Sequence, residues 1–198
     1  MRRMRYEYIL DVIDILKPES IIEIGVAKGV NAVKMVQKAG FNVEYTGYDV
    51  FDYSDKEWHH MVGNGKESKP VEHIRKMVEP LCSETTLVKG MTQDTLWSNP
   101  KEADLVFLDG DHRVDAIQGD FDAVKNSKVV IFDDYYIDGK HSDYEIDKFG
   151  CNQVVEKLGD FAVTPLTQKV GHVRLAVWCN PDHIDEETKQ KIEKAVTQ

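Results

Sequence analysis

The chain has 198 residues, 41% of them hydrophobic and 30% charged, with 35 acidic against 25 basic side chains and a formal net charge of -10. That balance describes one ordinary globular domain with a real core, running over residues 1–198, and excludes a disordered tract, a collagen-like repeat and a disulfide scaffold. The acidic excess argues against nucleic acid or an anionic membrane surface as a partner, and the three scattered cysteines, Cys82, Cys151 and Cys179, read as free thiols of a reducing cytoplasm.

The basic start Met1-Arg2-Arg3-Met4-Arg5 meets Asp11 and Asp14 too early to be a signal peptide, and no apolar run reaches the ~18 residues of a membrane span. Ile9, Val12, Ile13 and Leu16 recur at helical spacing and stop before Pro18, which predicts an opening amphipathic helix. A strand over 20–24 follows, then a turn between Gly25 and Gly29, a helix carrying Val30, Val33 and Val36 to Gly40, and a strand over 44–50. Residues 51–70, with Trp58, His59, His60, Gly63 and Gly65, have no clean period and predict a long loop or lid. Beyond it the pattern gives a helix on Val71, Ile74, Val78 and Leu81, a strand over 86–89 and another over 104–108. A helix on Val114, Ile117, Phe121 and Val124 then leads to a strand over 129–132. This repeated βαβ alternation requires a mostly parallel, doubly wound α/β sheet with helices on both faces. After Asp134 a short helix through Val154, Val155 and Leu158 precedes strands at 161–164 and 173–178, an antiparallel pair at one sheet edge. The polar tail over 182–198 predicts a surface helix capped by Asp185. It and the opening helix are surfaces against which a second copy can pack.

Ligands of open parallel sheets sit outside the carboxyl ends of the strands, and four such ends here are polar. Glu23-Ile24-Gly25-Val26-Ala27-Lys28-Gly29 places an acid and two glycines ahead of a helix, giving tight backbone approach and free N–H groups. Asp49 lies twenty residues after Gly29, near the spacing at which an acid accepts hydrogen bonds from a ribose diol, with a solvated surface acid as the equal alternative. Gly90-Met91-Thr92-Gln93-Asp94 supplies short polar groups suited to an adenine edge. The runs ending in Asp109-Gly110-Asp111-His112 and Asp133-Asp134 concentrate about four carboxylates in one crevice, which demands a counter-charge. An all-oxygen donor set points to a divalent ion, Mg²⁺ with Ca²⁺ or Mn²⁺ as rivals.

Taken in order, E-x-G-x-x-x-G, a strand-end acid, G-x-T-Q-D, D-G-D-H and a strand-end D-D resemble the class I S-adenosylmethionine-dependent methyltransferases. The likeness is greatest to the metal-dependent O-methyltransferases of the catechol, caffeoyl-CoA and macrolide-sugar type. The resemblance spans residues 20–134 and implies a Rossmann-like seven-stranded sheet with an antiparallel last strand. It also implies methyl transfer from S-adenosylmethionine to a hydroxyl of a small molecule or sugar. Under it Glu23, Gly25 and Gly29, with Asn31, would hold the methionine end of the cofactor, Asp49 the ribose, and Thr92 and Gln93 the adenine. Asp109, Asp133 and Asp134 would ligate the metal. Asp111 and His112 share the catalytic-base position, where the family's Lys is replaced by His112, and the choice between them stays open.

Three other readings compete. Asp109-Gly110-Asp111 also matches the D-x-D motif of haloacid-dehalogenase phosphatases, although three strands precede it and Arg113 stands where Thr or Val is expected. A nicotinamide dehydrogenase would need G-x-G-x-x-G in the first turn. A catalytically silent cofactor-binding module would have no reason to concentrate uncompensated charge.

Overall fold

The computed structural model describes residues 3–52, 68–137, 148–166 and 173–198. The lid expected at 51–70, with Trp58, His59 and His60, therefore lies mostly outside the described residues. So does Gly171.

Seven strands form one sheet: β1 (Ser20–Ile24), β2 (Glu44–Asp49), β3 (Glu84–Lys89), β4 (Leu105–Leu108), β5 (Val129–Tyr136), β6 (Ala162–Val163) and β7 (Val173–Cys179). Their order is β3-β2-β1-β4-β5-β7-β6, with the first five parallel and β7 antiparallel to both β5 and β6. This is the Rossmann-like seven-stranded sheet that the resemblance implies, and the reversed β7 is the antiparallel element expected near the sheet edge. The order reverses between β1 and β4, so the crevice at their carboxyl ends is the topological switch point where such sheets bind ligands.

Alternation along each strand divides the sheet into two faces. Ile21, Tyr45, Phe107, Ile131 and Val177 pack under α1 (Glu7–Leu16), α2 (Val30–Ala39), α3 (Val71–Val78) and, beyond the shorter helices, the C-terminal helix Glu186–Thr197. Ile22, Ile24, Val106, Val130 and Phe132 face the opposite layer, which contains the four-residue α4 (Thr92–Thr95), α5 (Val114–Val124) and α6 (Asn152–Val155). The C-terminal helix, α7, starts at the predicted cap: Asp185 accepts the Thr188 N–H at 2.8 Å. Its Ile192 and Val196 are buried in the same core as Ile9, Val12 and Ile13 of α1, so the apolar faces of the two terminal helices are used within the chain. Each such side chain contributes about 1.5–3 kcal/mol by leaving water.

Several boundaries differ from the sequence reading by a residue, and three elements depart from it further. β3 begins at Glu84 rather than 86, because it is an edge strand whose first residues are half-exposed and carry no apolar signal. Thr92–Thr95, read as loop, is a single helical turn, too short to show a period. β5 continues past Phe132 to Tyr136 through a register shift between Phe132 and Tyr135, with Asp134 in the left-handed region at φ 55°. The acidic pair thus sits inside a bulged strand rather than after its end. All three cysteines are free and buried, and among the described residues no helix is long and apolar enough to cross a membrane.

Candidate active site at the strand carboxyl ends

The end of β1 is built by close backbone approach. Gly25 lies at φ 91°, donates its N–H to the Tyr48 carbonyl at 2.9 Å, and leaves room for no side chain: a Cβ there would sit 2.0 Å from the Asp109 carbonyl oxygen. Gly29, at φ 72°, caps α2 and closes the turn onto the Val26 carbonyl at 2.8 Å. Asn31 is half-buried on the first turn of α2. Asp49, ending β2, is tied to that turn: its Oδ2 accepts the Ala27 N–H at 2.7 Å, and its Oδ1 accepts the Phe51 N–H and the Ser68 hydroxyl, both at 2.9 Å. Each carboxylate oxygen accepts more than one hydrogen bond, so ribose hydroxyls can still be served.

Glu23 is fully buried on the α1 side of the sheet, where the Tyr45 hydroxyl donates to its Oε2 and its Oε1 has no hydrogen-bond partner among the described residues. Burial pushes its carboxyl up to about 8, against the opposing Tyr45 hydrogen bond and with help from the charge of Asp49. The folded chain therefore keeps a proton that the unfolded chain releases near 4.5, so the folded state binds more protons between these values and stability falls as pH rises through that window. Glu23→Gln should match the parent in urea unfolding near about pH 5 and exceed it near about pH 9. Equal pH slopes for both proteins would refute the assignment.

Beyond β3, the Gln93 Oε1 is buried with no hydrogen-bond partner among the described residues, and Thr92 is buried beside Asp120. Trp97 donates its indole N–H to Asp120 at 2.8 Å and packs against Gly119 of α5, where an added Cβ would lie 2.3 Å from its ring. Burial raises Asp120 to about 6 despite its Thr92 and Trp97 hydrogen bonds. The sequence reading missed Asp120 and Trp97, whose only signal was a lone acid on the apolar side of a predicted helix.

The structure does gather Asp109, Asp133 and Asp134, and it places a cation among them. Arg5 Nη1 lies 2.9 Å from Asp133 Oδ1 and 3.1 Å from Asp134 Oδ1. The Tyr6 hydroxyl donates to Asp133 Oδ2 at 2.8 Å, sits 3.4 Å from Asp109 Oδ2, and receives Arg5 Nη2 at 2.7 Å. Alternation explains the meeting. Asp109 and Asp133 continue the face of Phe107 and Ile131, which α1 covers, and Arg5 and Tyr6 immediately precede α1. Burial, then Asp109 and Asp134, push Asp133 well above the usual carboxylate range in spite of Arg5. Burial likewise keeps the Tyr6 phenol protonated and donating, reinforced by Asp133.

The donor set does not fit a divalent ion as it stands, because oxygens of Asp133 and Asp134 face a guanidinium. Among the described residues no group of three His, Cys, Asp or Glu side chains converges as a metal site. Among the described residues, the positive charge beside Asp133 and Asp134 is the Arg5 guanidinium, where the sequence reading expected a metal.

On the opposite side of Asp134, His112 Nδ1 lies 2.9 Å from Oδ2. Burial alone would lower this imidazole, but the Asp134 hydrogen bond and the charges of Asp134, Asp109 and Asp133 raise it to about 9. Burial opposes ionisation of Asp134 in turn, yet His112 and Arg5 hold it at about 2. Asp111 is clamped by Arg113, with Nε 3.1 and 2.9 Å from its two oxygens and Nη2 at 2.5 Å.

A family model described as a methyltransferase domain matches residues 22–135, which is where these strand ends and their polar residues lie. The chain belongs to this methyltransferase family. Solved structures share its fold. Cofactor-bound Rv0187 from MTB aligns with a TM-score of 0.63 at 17% identity, over 91% of this chain and 81% of that one. The O-methyltransferase from Bacillus cereus in complex with SAH gives 0.61 at 16%, over 87% and 79%. The O-methyltransferase TomG from Streptomyces achromogenes, involved in tomaymycin synthesis and solved with SAM, gives 0.56 at 17%, over 86% and 77%. No curated protein matches the sequence significantly. For this methyltransferase the phosphatase and dehydrogenase readings fall away: Asp109 follows the fourth strand of the family's sheet, and Asp111 is held by Arg113.

Proposed function

We propose that the protein transfers a methyl group from S-adenosylmethionine to a hydroxyl of a small molecule, with a sugar among the acceptor types. The observation that carries the reading is the family match over 22–135, which spans the strand ends at the switch point; among the described residues, buried oxygens of Glu23 and Gln93 have no hydrogen-bond partner. SAH- and SAM-bound O-methyltransferases of the same fold support it.

The residues present fit the cofactor. Glu23, with the Gly25–Gly29 turn and Asn31, lies where an amino acid end can be received by an acid and by backbone N–H groups at the start of α2. In this reading Asp49 accepts the ribose hydroxyls, and Thr92 and Gln93 meet adenine. When bound, S-adenosylmethionine supplies an electrophilic methyl on a sulfonium. The protein's part is to orient an acceptor oxygen in line with that methyl and to remove its proton. His112 is the base we assign. Asp111 is instead engaged by two nitrogens of Arg113, which occupy both of its carboxylate oxygens.

Calorimetric titration tests the reading. SAH should bind in the micromolar range and NADH should not bind comparably. Asp49→Ala should weaken SAH by about 1.5–3 kcal/mol, roughly 10- to 150-fold, through loss of hydrogen bonds to a charged group. An unchanged affinity would remove Asp49 from the cofactor site, and no SAH binding by the parent protein would overturn the function.

A further inference from the structure

Three carboxylates brought together at the ends of β4 and β5 need a counter-charge, and the chain provides one from its own first residues. Arg5 reaches Asp133 and Asp134 while its other terminal nitrogen donates to Tyr6. Tyr6 relays that contact by donating to Asp133 and lies beside Asp109. The pair is not a loose tail. The Arg5 guanidinium lies over the Tyr6 ring at 4.8 Å, and the Tyr6 ring packs edge-on against Phe107 of β4 at 5.9 Å. α1, which starts at the next residue, is anchored in the core by Tyr8, Ile9, Val12 and Ile13. The Arg5 side chain is only 15% exposed and that of Asp133 1%.

A hard divalent ion would need these same carboxylate oxygens at about 2.0–2.6 Å, together with further oxygen ligands. A guanidinium in contact with two of the three carboxylates competes for those oxygens and repels a second cation.

We propose that Arg5 and Tyr6 take the place of a divalent cation in this chain, so that the carboxylate trio is a seat for a guanidinium and its phenol. Arg5 is then a positioning residue: it fixes Asp134, and Asp134 fixes His112 at 2.9 Å. The inference deepens the methyl-transfer reading of the same site, but its test uses neither cofactor nor acceptor, so either can fail alone.

The test is titration of the full chain with Mn²⁺, following the electron paramagnetic resonance signal of the free ion. The parent protein should show no stoichiometric binding at millimolar Mn²⁺, and its unfolding midpoint should not move when chelator is added. Arg5→Gln removes the competing charge, and it should gain Mn²⁺ affinity by ~10-fold or more, a gain abolished by adding Asp133→Asn. Arg5→Lys, which keeps the charge, should stay as metal-free as the parent. One equivalent of Mn²⁺ bound by the parent and lost in Asp133→Asn overturns the proposal, as does a folded Arg5→Gln that gains nothing. If Arg5→Gln does not fold, the parent titration and Arg5→Lys decide alone: Mn²⁺ bound by either overturns it, and binding by neither upholds it.

Discussion

Gly25→Ala should unfold at a midpoint ~10 °C or more below the parent and should not bind SAH. Two costs combine. A non-glycine residue at φ 91° carries strain of about 1–3 kcal/mol. The new Cβ would also lie 2.0 Å from the Asp109 carbonyl oxygen, 2.4 Å from its carbon and 2.8 Å from the Gly110 nitrogen, all backbone atoms with no rotamer to yield. Relief requires pulling β1 from β4 where Asp109 donates to the Ile24 carbonyl at 2.8 Å, and with it the carboxylate cluster above. A total of about 3 kcal/mol or more corresponds to ~10 °C in a chain of this size. Gly40→Ala separates the two costs. Gly40 has φ 96°, but a Cβ added there would meet nothing within 4 Å, so only the strain remains and cofactor affinity should be unchanged. Calorimetry and thermal unfolding of both variants check this. Normal SAH binding by Gly25→Ala would show that the turn does not cradle the cofactor.

What the sequence revealed and what it hid divide along physical lines. β4 and the first half of β5 are buried on both faces, so Leu105–Leu108 and Val129–Phe132 are uninterrupted apolar runs that announce themselves. Asp185 was readable because an N-cap is a local event completed within three residues. The far half of β5 was hidden because Asp133 and Asp134 end the apolar run while a bulge lets the strand continue. The partners of the site residues were hidden for another reason. Arg5 meets Asp134 across 129 positions and Tyr45 meets Glu23 across 22, and no local pattern encodes such pairings. The sequence did show that the acid cluster required positive charge. Whether that charge was an ion or a side chain depended on where α1 packs, which is a property of the finished sheet.

That same cluster sets the pH at which the assigned base can act. His112 titrates at about 9, so at neutral pH it is an imidazolium donating through Nδ1 to Asp134, and only its deprotonated form accepts a proton from the acceptor hydroxyl. kcat/KM should therefore climb with pH until about 9, rather than levelling near the ordinary imidazole value of ~6.5. Stability should run the other way. The folded His112 value is raised, so its contribution is complete below about 6.5 and is lost as pH rises through about 9; the folded Asp134 value is depressed, so its contribution is complete above 3.8 and is lost as pH falls through about 2. The ion pair is thus whole between about pH 4 and about 6.5 and weakens on the alkaline side as activity rises. His112→Ala should cost ~10²- to 10⁴-fold in kcat and abolish the alkaline climb while SAH still binds. Asp111→Asn should be mild, because Arg113 already holds that carboxylate. An unaltered pH profile in His112→Ala, with the loss appearing in Asp111→Asn, would transfer the role of base to Asp111.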